Sequence, residues 1–179
     1  MDQILVAFES EKTCHRVREI LERSGTASCL ICRSADQVRR WVNKQHLTAV
    51  VCGYKLADET AADVLEDLPP FCAMLVLAPQ DRLNLLRGER LIPLPAPTSR
   101  SALLEGVERL LQMGREAEKS LSRRDREERE LIERAKALLM ARNAMTEEEA
   151  HHFLQKKSMD QGAKLVQVAR RVLEPPGNA

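Results

Sequence analysis

Thr48-Ala49-Val50-Val51-Cys52-Gly53 is an unbroken apolar run of strand length closed by a glycine, and its reading decides the first half of the chain. Upstream, residues 35–44 carry Val38, Trp41 and Val42 at helical spacing, and residues 27–32 form another short apolar run. Before these, residues 13–24 carry Val17, Ile20 and Leu21 on one helical face, and residues 3–8 read as the first strand. Downstream come a short helix over 61–68 stopped by Pro69-Pro70, a strand over 71–77, a weak helix over 81–86 and a last strand over 91–94. Strands alternating with helices imply parallel strands joined by right-handed crossovers. The pattern predicts an α/β fold, a five-stranded parallel doubly wound domain.

The character changes after Pro97. Ser99 opens a helix with Leu103, Leu104, Val107, Leu110 and Leu111, and no strand pattern returns. Charge dominates residues 114–130. A heptad can be threaded with Val107 and Leu121 at one core position and Leu103, Leu110, Ala117 and Leu131 at the other, interrupted by Gly114, Arg124 and Glu128. This predicts a weak coiled coil and a homodimer with a seam of Leu103, Val107, Leu110, Ala117 and Leu121; the alternative is a solvated helix bridging two domains. Residues 131–142 then read as an amphipathic helix. Thr146 with Glu149 makes a capping box for a second helix running to about Lys157, and a third spans about 162–173 before Pro175-Pro176-Gly177. The expected division is 1–112, a helical coiled-coil linker 113–130, a three-helix bundle 131–174 and a tail 175–179.

Composition narrows the function. The 179 residues include 28 Lys plus Arg against 27 Asp plus Glu, a net charge of +1, so any affinity for nucleic acid must be local. Aromatics make up 3%, which disfavours a β-sandwich or a base-stacking sheet. No apolar run approaches the ~18 residues needed to span a bilayer, and Met1-Asp2-Gln3 lacks a basic signal start, so a cytoplasmic protein with no membrane partner is expected. Cys29-Leu30-Ile31-Cys32 spells C-x-x-C, but residues three apart on a strand face opposite ways, so the five cysteines read as buried thiols. His151 and His152, about 100° apart on a helix, lack a ligand partner. With no Gly-rich phosphate loop, nucleophile elbow or metal cluster, no enzyme, catalytic residue, metal or cofactor is expected.

Two resemblances cover nearly the whole chain. In its order of elements, and in Val51-Cys52-Gly53-Tyr54-Lys55-Leu56-Ala57-Asp58, the first part resembles a response-regulator receiver, which implies a flavodoxin-like sheet. Residues 131–173 resemble the ANTAR domain of transcription antitermination regulators, through Ile132-Glu133-Arg134-Ala135-Lys136-Ala137-Leu138-Leu139-Met140, Thr146 to Ala150, Leu154, Ser158-Met159, Leu165 and Val168-Ala169. That resemblance implies a three-helix bundle that binds RNA hairpins in mRNA leaders as a dimer and prevents termination.

The receiver resemblance fails where its chemistry would be. Aspartyl phosphorylation needs a carboxylate nucleophile, further carboxylates for magnesium, a hydroxyl and a lysine. The acidic pair falls at Phe8 and Glu9, the nucleophile at Gly53, the hydroxyl at Ala78 and the lysine at Ala96, so only Glu9 keeps the expected chemistry. A degenerate receiver controlled by a protein partner or ligand follows.

In the bundle, a basic face of Lys136, Lys156, Lys157 and Lys164 is assigned to phosphates, and His151, Gln155 and Ser158 to loop bases; Ser158 reads equally as a cap. Where many ANTAR domains carry an aromatic and an Arg, this chain has His151 and Gln155, and Gly162 and Ala163 replace positions often polar or basic. Met159 reads as a core plug. The rival functions are a protein-binding adaptor and a DNA-binding regulator, for which the third helix offers Gln161, Lys164, Gln167 and Arg171.

Overall fold

A computed structural model describes residues 1–175. They form two compact units, Met1–Lys119 and the described part of Ser120–Ala179. In the first, strands β1 (Gln3–Ala7), β2 (Ser28–Cys32), β3 (Ala49–Gly53), β4 (Ala73–Ala78) and β5 (Leu91–Pro95) alternate with helices α1 (Glu11–Arg23), α2 (Ala35–Gln45), α3 (Ala61–Asp67) and α4 (Gln80–Leu83), before α5 (Arg100–Asn143). The sheet is wholly parallel in the order β2-β1-β3-β4-β5, the doubly wound solution expected of the alternation.

Every residue of β3 is buried, as a central parallel strand covered on both faces must be. Alternate side chains feed two cores. Leu5, Val50, Cys52, Met74 and Val76 pack with Val38, Val42 and Val64 on one side; Ile4, Val6, Val51 and Leu75 pack with Val17, Leu21 and the start of α5 on the other. Cys29 and Cys32 fall in opposite cores, so the C-x-x-C pair holds no shared ligand geometry, and all five cysteines are free and buried. Burial pushes the Cys32 and Cys72 thiols up to about 12, which removes them as nucleophiles. The helix starts are set by Ser10, Ser34 and Thr60, whose hydroxyls accept from the backbone N–H groups of Thr13, Gln37 and Asp63.

At Leu103, Val107 and Leu110 the dimer seam read from the sequence is corrected. Leu103 is 2% exposed and Val107 and Leu110 0%, because they pack on the sheet face made by Ile4, Val6, Val51 and Leu75. A four-and-three spacing specifies an apolar face, and in this chain that face is used by the domain's own core. Gly114, which seemed to interrupt the seam, is a point of close approach: a Cβ there would lie 2.7 Å from Thr48 Cβ and 2.9 Å from its carbonyl oxygen. Ala117 and Leu121 are half-buried and lie outside that core.

The second unit combines the end of α5 with α6 (Glu147–Gln161) and α7 (Leu165–Leu173). Its core is Ala135, Leu139, Ala150, Leu154, Val168 and Ala169, flanked by Ile132, Phe153, Leu165 and Val172. Thr146 and Glu149 form the expected capping box, with the Glu149 N–H donating to Thr146 Oγ1 at 3.2 Å and the Thr146 N–H to Glu149 Oε2 at 2.8 Å.

Two sequence readings are corrected. The helix does not stop near Lys157: it runs through Ser158-Met159-Asp160 to Gln161 and ends at Gly162, whose φ of +57° is the left-handed cap that glycine favours. The third helix accordingly starts at Leu165. Met159 is no core plug; it is 82% exposed.

Candidate nucleic-acid interface and the degenerate phosphorylation site

At the carboxyl ends of the strands, where α/β sheets bind ligands, the first unit is filled rather than open. Phe8 follows β1 and is 5% exposed, and its ring lies against the end of β3: a Cβ on Gly53 would stand 3.2 Å from Phe8 Cδ1. Ala78 is buried, and its carbonyl accepts from the Ala96 N–H at 2.9 Å, so two of the positions that would handle a phosphoryl group are joined backbone to backbone. Glu9 is exposed, and its backbone carbonyl accepts from Arg33 Nη2 at 3.0 Å. One carboxylate beside an aromatic ring is a poor donor set for magnesium, which takes oxygen ligands in octahedral geometry; these residues do not fit the ion.

The acids nearest this site have structural work. Asp58 Oδ1 accepts from the Ala35 N–H at 2.8 Å, closing the start of α2, and that hydrogen bond holds the Asp58 carboxyl below its ordinary value. Glu59 accepts from Arg39 Nη1 at 3.0 Å, while Arg39 Nε donates to Asp67 at 3.0 Å. Leu56, two residues before Asp58, is fully buried. The segment that would carry a phosphorylation signal is pinned to α2.

In the second unit the seven residues assigned to RNA separate into two groups. Lys136 is 7% exposed, and its Nζ donates to Glu133 Oε1 at 2.7 Å and Glu147 Oε1 at 3.1 Å. These bonds, that to Glu133 first, raise its pKa. Its charge is neutralised in place, so the assignment of Lys136 to a phosphate is corrected: it ties α5 to α6. Beside it, Thr146, Glu147, Glu148 and His151 line a shallow cleft of about 610 Å³ whose carboxylates repel phosphate. His151 Nε2 meets the Gln155 amide at 3.1 Å, and its Nδ1 is buried without a partner among the described residues. Ser158 is also committed: its Oγ donates to the Ala163 carbonyl at 2.6 Å across the connection from α6 to α7, the capping role rather than the phosphate one.

Lys156, Lys157 and Lys164 are exposed and carry no ion pair among the described residues. Arg170 and Arg171 on α7 are exposed as well. Lys156 and Lys157 therefore stand toward the end of α6 away from Glu147-Glu148-Glu149, roughly 13 Å along the helix at 1.5 Å per residue. Sequence reasoning missed Phe153, which is half-buried in α6 with Lys157 Nζ 5.7 Å from its ring centroid. The signal was there, since Phe153 is the one Phe, Tyr or Trp after Phe71.

Comparison with known proteins bears on both units. Residues 122–173 match the ANTAR domain family. These residues are an ANTAR domain. The nitrate regulatory protein of Klebsiella oxytoca is 47% identical over 47 residues, a match that spans 26% of this chain and 12% of that protein. The first unit is similar to a response regulator receiver domain protein from Clostridium thermocellum, with a TM-score of 0.57 and 19% identity over 63% of this chain and 95% of that one. It is also similar to the signal receiver domain of an HD domain-containing protein from Pseudomonas fluorescens Pf-5, with a TM-score of 0.59 and 17% identity over 66% of this chain and 92% of that one. At such identities the likeness is one of fold. The chain joins a receiver-like domain to an ANTAR domain, and among the described residues no helix is long and apolar enough to cross a membrane.

Proposed function

We propose that this chain is an RNA-binding regulator of the antitermination type, whose ANTAR domain grips hairpins in nascent mRNA leaders and prevents termination. The observation that carries the reading is the ANTAR match over residues 122–173, on a bundle that leaves Lys156, Lys157 and Lys164 exposed. Lysines near phosphates supply affinity, while discrimination comes from loop bases, because the deep major groove of an RNA stem excludes side chains. The function is one of binding, not catalysis. The receiver-like unit acts independently of phosphorylation, through a protein partner or ligand, since Phe8, Gly53, Ala78 and Ala96 stand where the chemistry needs polar groups.

The active form is a homodimer. Support for pairing no longer comes from Leu103, Val107 and Leu110 but from Ala117, Leu121, Leu131 and Leu138, half-buried residues of α5 outside both cores at spacings compatible with a heptad.

The test is binding of the full chain to paired leader hairpins, scrambled-loop hairpins and duplex DNA at near-physiological salt. Preference for the intact hairpins is expected. Equal affinity for all three reduces the bundle to a nonspecific basic surface, and no binding to any returns it to a protein adaptor. Incubation with acetyl phosphate and magnesium should leave the intact mass unchanged; a stoichiometric, hydroxylamine-labile phosphoryl adduct removes the phosphorylation-independent part of the reading.

A further inference from the structure

The face of α6 that carries Phe153, Lys157 and Gln161 at successive four-residue intervals meets Val168, Arg171 and Val172 of α7 around a cavity of about 190 Å³. Two clefts of the described bundle differ in kind. The larger, beside Lys136, is lined by Glu147 and Glu148, whereas among the described residues no carboxylate side chain lines this one. Its floor is apolar, with Val168 buried and Phe153 and Val172 half-buried. Its rim is made of donors: the Lys157 ammonium, the Arg171 guanidinium and the Gln161 carboxamide, whose Oε1 accepts from Arg171 Nη1. At about 190 Å³ the slot is the smaller of these two clefts and offers room for one planar ring system.

An apolar floor with an aromatic ring, an acceptor-seeking rim and a positive surround specify a flat ligand with polar edges and an attached negative charge. We propose that this slot accepts one unstacked nucleobase from the loop of a bound RNA hairpin, with Phe153 as its stacking platform. The inference rests on the RNA-binding reading and deepens it, moving loop recognition from the face of α6 that carries His151, Gln155 and Ser158 to the face that carries Phe153, Lys157 and Gln161. Single-stranded bases are held in this manner generally, by stacking on aromatic side chains with edge hydrogen bonds and nearby cations. In the free bundle the Lys157 ammonium lies over the Phe153 ring. A base entering the slot replaces that ammonium over the ring and releases it toward the adjoining phosphate, so the same lysine serves the empty and the filled state. Arg171 and Gln161, already hydrogen-bonded to each other, present a fixed pair of polar groups to the edge of the base.

The experiment uses the full chain and hairpins selected by it from a random-loop RNA pool, with 2-aminopurine placed in turn at each loop position. One position should lose fluorescence on binding. Phe153→Leu, which keeps the apolar floor but removes the ring face, should abolish that loss and weaken binding about fivefold or more, as expected for one base–aromatic stack; Phe153→Tyr should restore both. Lys156→Ala should weaken binding yet leave the quenched position unchanged. Thermal melting of each variant reports folding, and if Phe153→Leu fails to fold, Arg171→Gln and Gln161→Ala, at exposed positions, carry the comparison. Unchanged affinity and unchanged quenching in folded Phe153→Leu overturn the slot while leaving hairpin binding intact. Failure of the unsubstituted chain to enrich any hairpin overturns both and gives this surface to a protein partner.

Discussion

The two units treat charge in opposite ways. In the receiver-like unit, the end of the sheet where an ion or phosphoryl group would sit is packed with carbon: Phe8 against Gly53, with Ala78 and Ala96 joined through their backbones. The neighbouring acids are spent on structure, Asp58 on the Ala35 N–H and Glu59 on Arg39. In the ANTAR domain Glu147, Glu148 and Glu149 occupy the first turn of α6, where they favour the positive end of the helix; Glu147 with Glu133 neutralises Lys136, and Lys156, Lys157 and Lys164 remain exposed. Affinity for an anion requires charge that the fold has not already satisfied. By that criterion the exposed lysines of the second unit suit an anion and the packed sheet end of the first does not.

The sharpest break of the comparison is at Leu110. If α5 serves the first unit as core, Leu110→Asp places a carboxylate among Val6, Val51 and Leu75 with no partner, and should cost about 4 kcal/mol or more, a large part of the ~5 to 15 kcal/mol that holds a domain together. Loss of the cooperative melt is expected. A folded variant of unchanged melting temperature that has merely become monomeric would restore the seam.

Next in size is Gly114→Ala. A methyl group there must push against the Thr48 carbonyl at 2.9 Å, which is backbone and cannot swing aside, so a loss of about 1 to 3 kcal/mol is expected despite alanine's better helix propensity. A stabilised variant would show that α5 stands off the sheet at this point.

These two positions also show what the sequence could and could not disclose. Alternation of apolar runs with helical faces was enough for the five parallel strands, because burial on both sides leaves β3 no polar residue. The same periodicity could not say what the face of Leu103, Val107 and Leu110 meets, since a core-facing helix and a coiled coil share that spacing. In the ANTAR domain the lysines were legible as cations, and Glu133 three residues before Lys136 was a local hint of pairing, but its second partner, Glu147, comes from the following helix, a tertiary fact with no local signature. The sequence reads as a second helix ending near Lys157 and a third starting near Gly162, yet Gly162 caps a second helix that includes Ser158, Met159 and Asp160. Phe153 was legible as an isolated aromatic, and only its neighbours Gln161 and Arg171 make it a slot.

Within the ANTAR domain, Lys136 is paired with two carboxylates and Lys157 with none among the described residues, and binding experiments can separate the two. Lys157→Ala should weaken binding to all hairpins alike and reduce the slope of log affinity against log salt by about 0.7 to 0.9, the release of one counterion-equivalent. Lys136→Ala should leave that slope unchanged and lower the stability of the bundle by about 1 kcal/mol, a figure kept small because its partners Glu133 and Glu147 are largely exposed. A reduced slope in Lys136→Ala, measured across a salt series, would return that lysine to the interface.

The smallest effect expected is at Asp58, and pH isolates it. The hydrogen bond from the Ala35 N–H holds the Asp58 carboxyl below the 3.8 of an unperturbed aspartate, so the folded chain keeps it ionised to lower pH than the unfolded chain does. Its contribution to stability is therefore fully present above pH 3.8 and is lost as the pH falls through the depressed folded value. Asp58→Ala removes the acceptor. The variant should melt below the unsubstituted chain near neutral pH, by a gap that stays constant down to about pH 5 and closes in stronger acid, where both lack the carboxylate. Melting curves of the two proteins across that range give the answer directly. A gap that persists unchanged in strong acid assigns the loss to packing around Leu56, and no gap at any pH means that the start of α2 holds without Asp58, leaving Arg39 with Glu59 as the tie between this segment and α2.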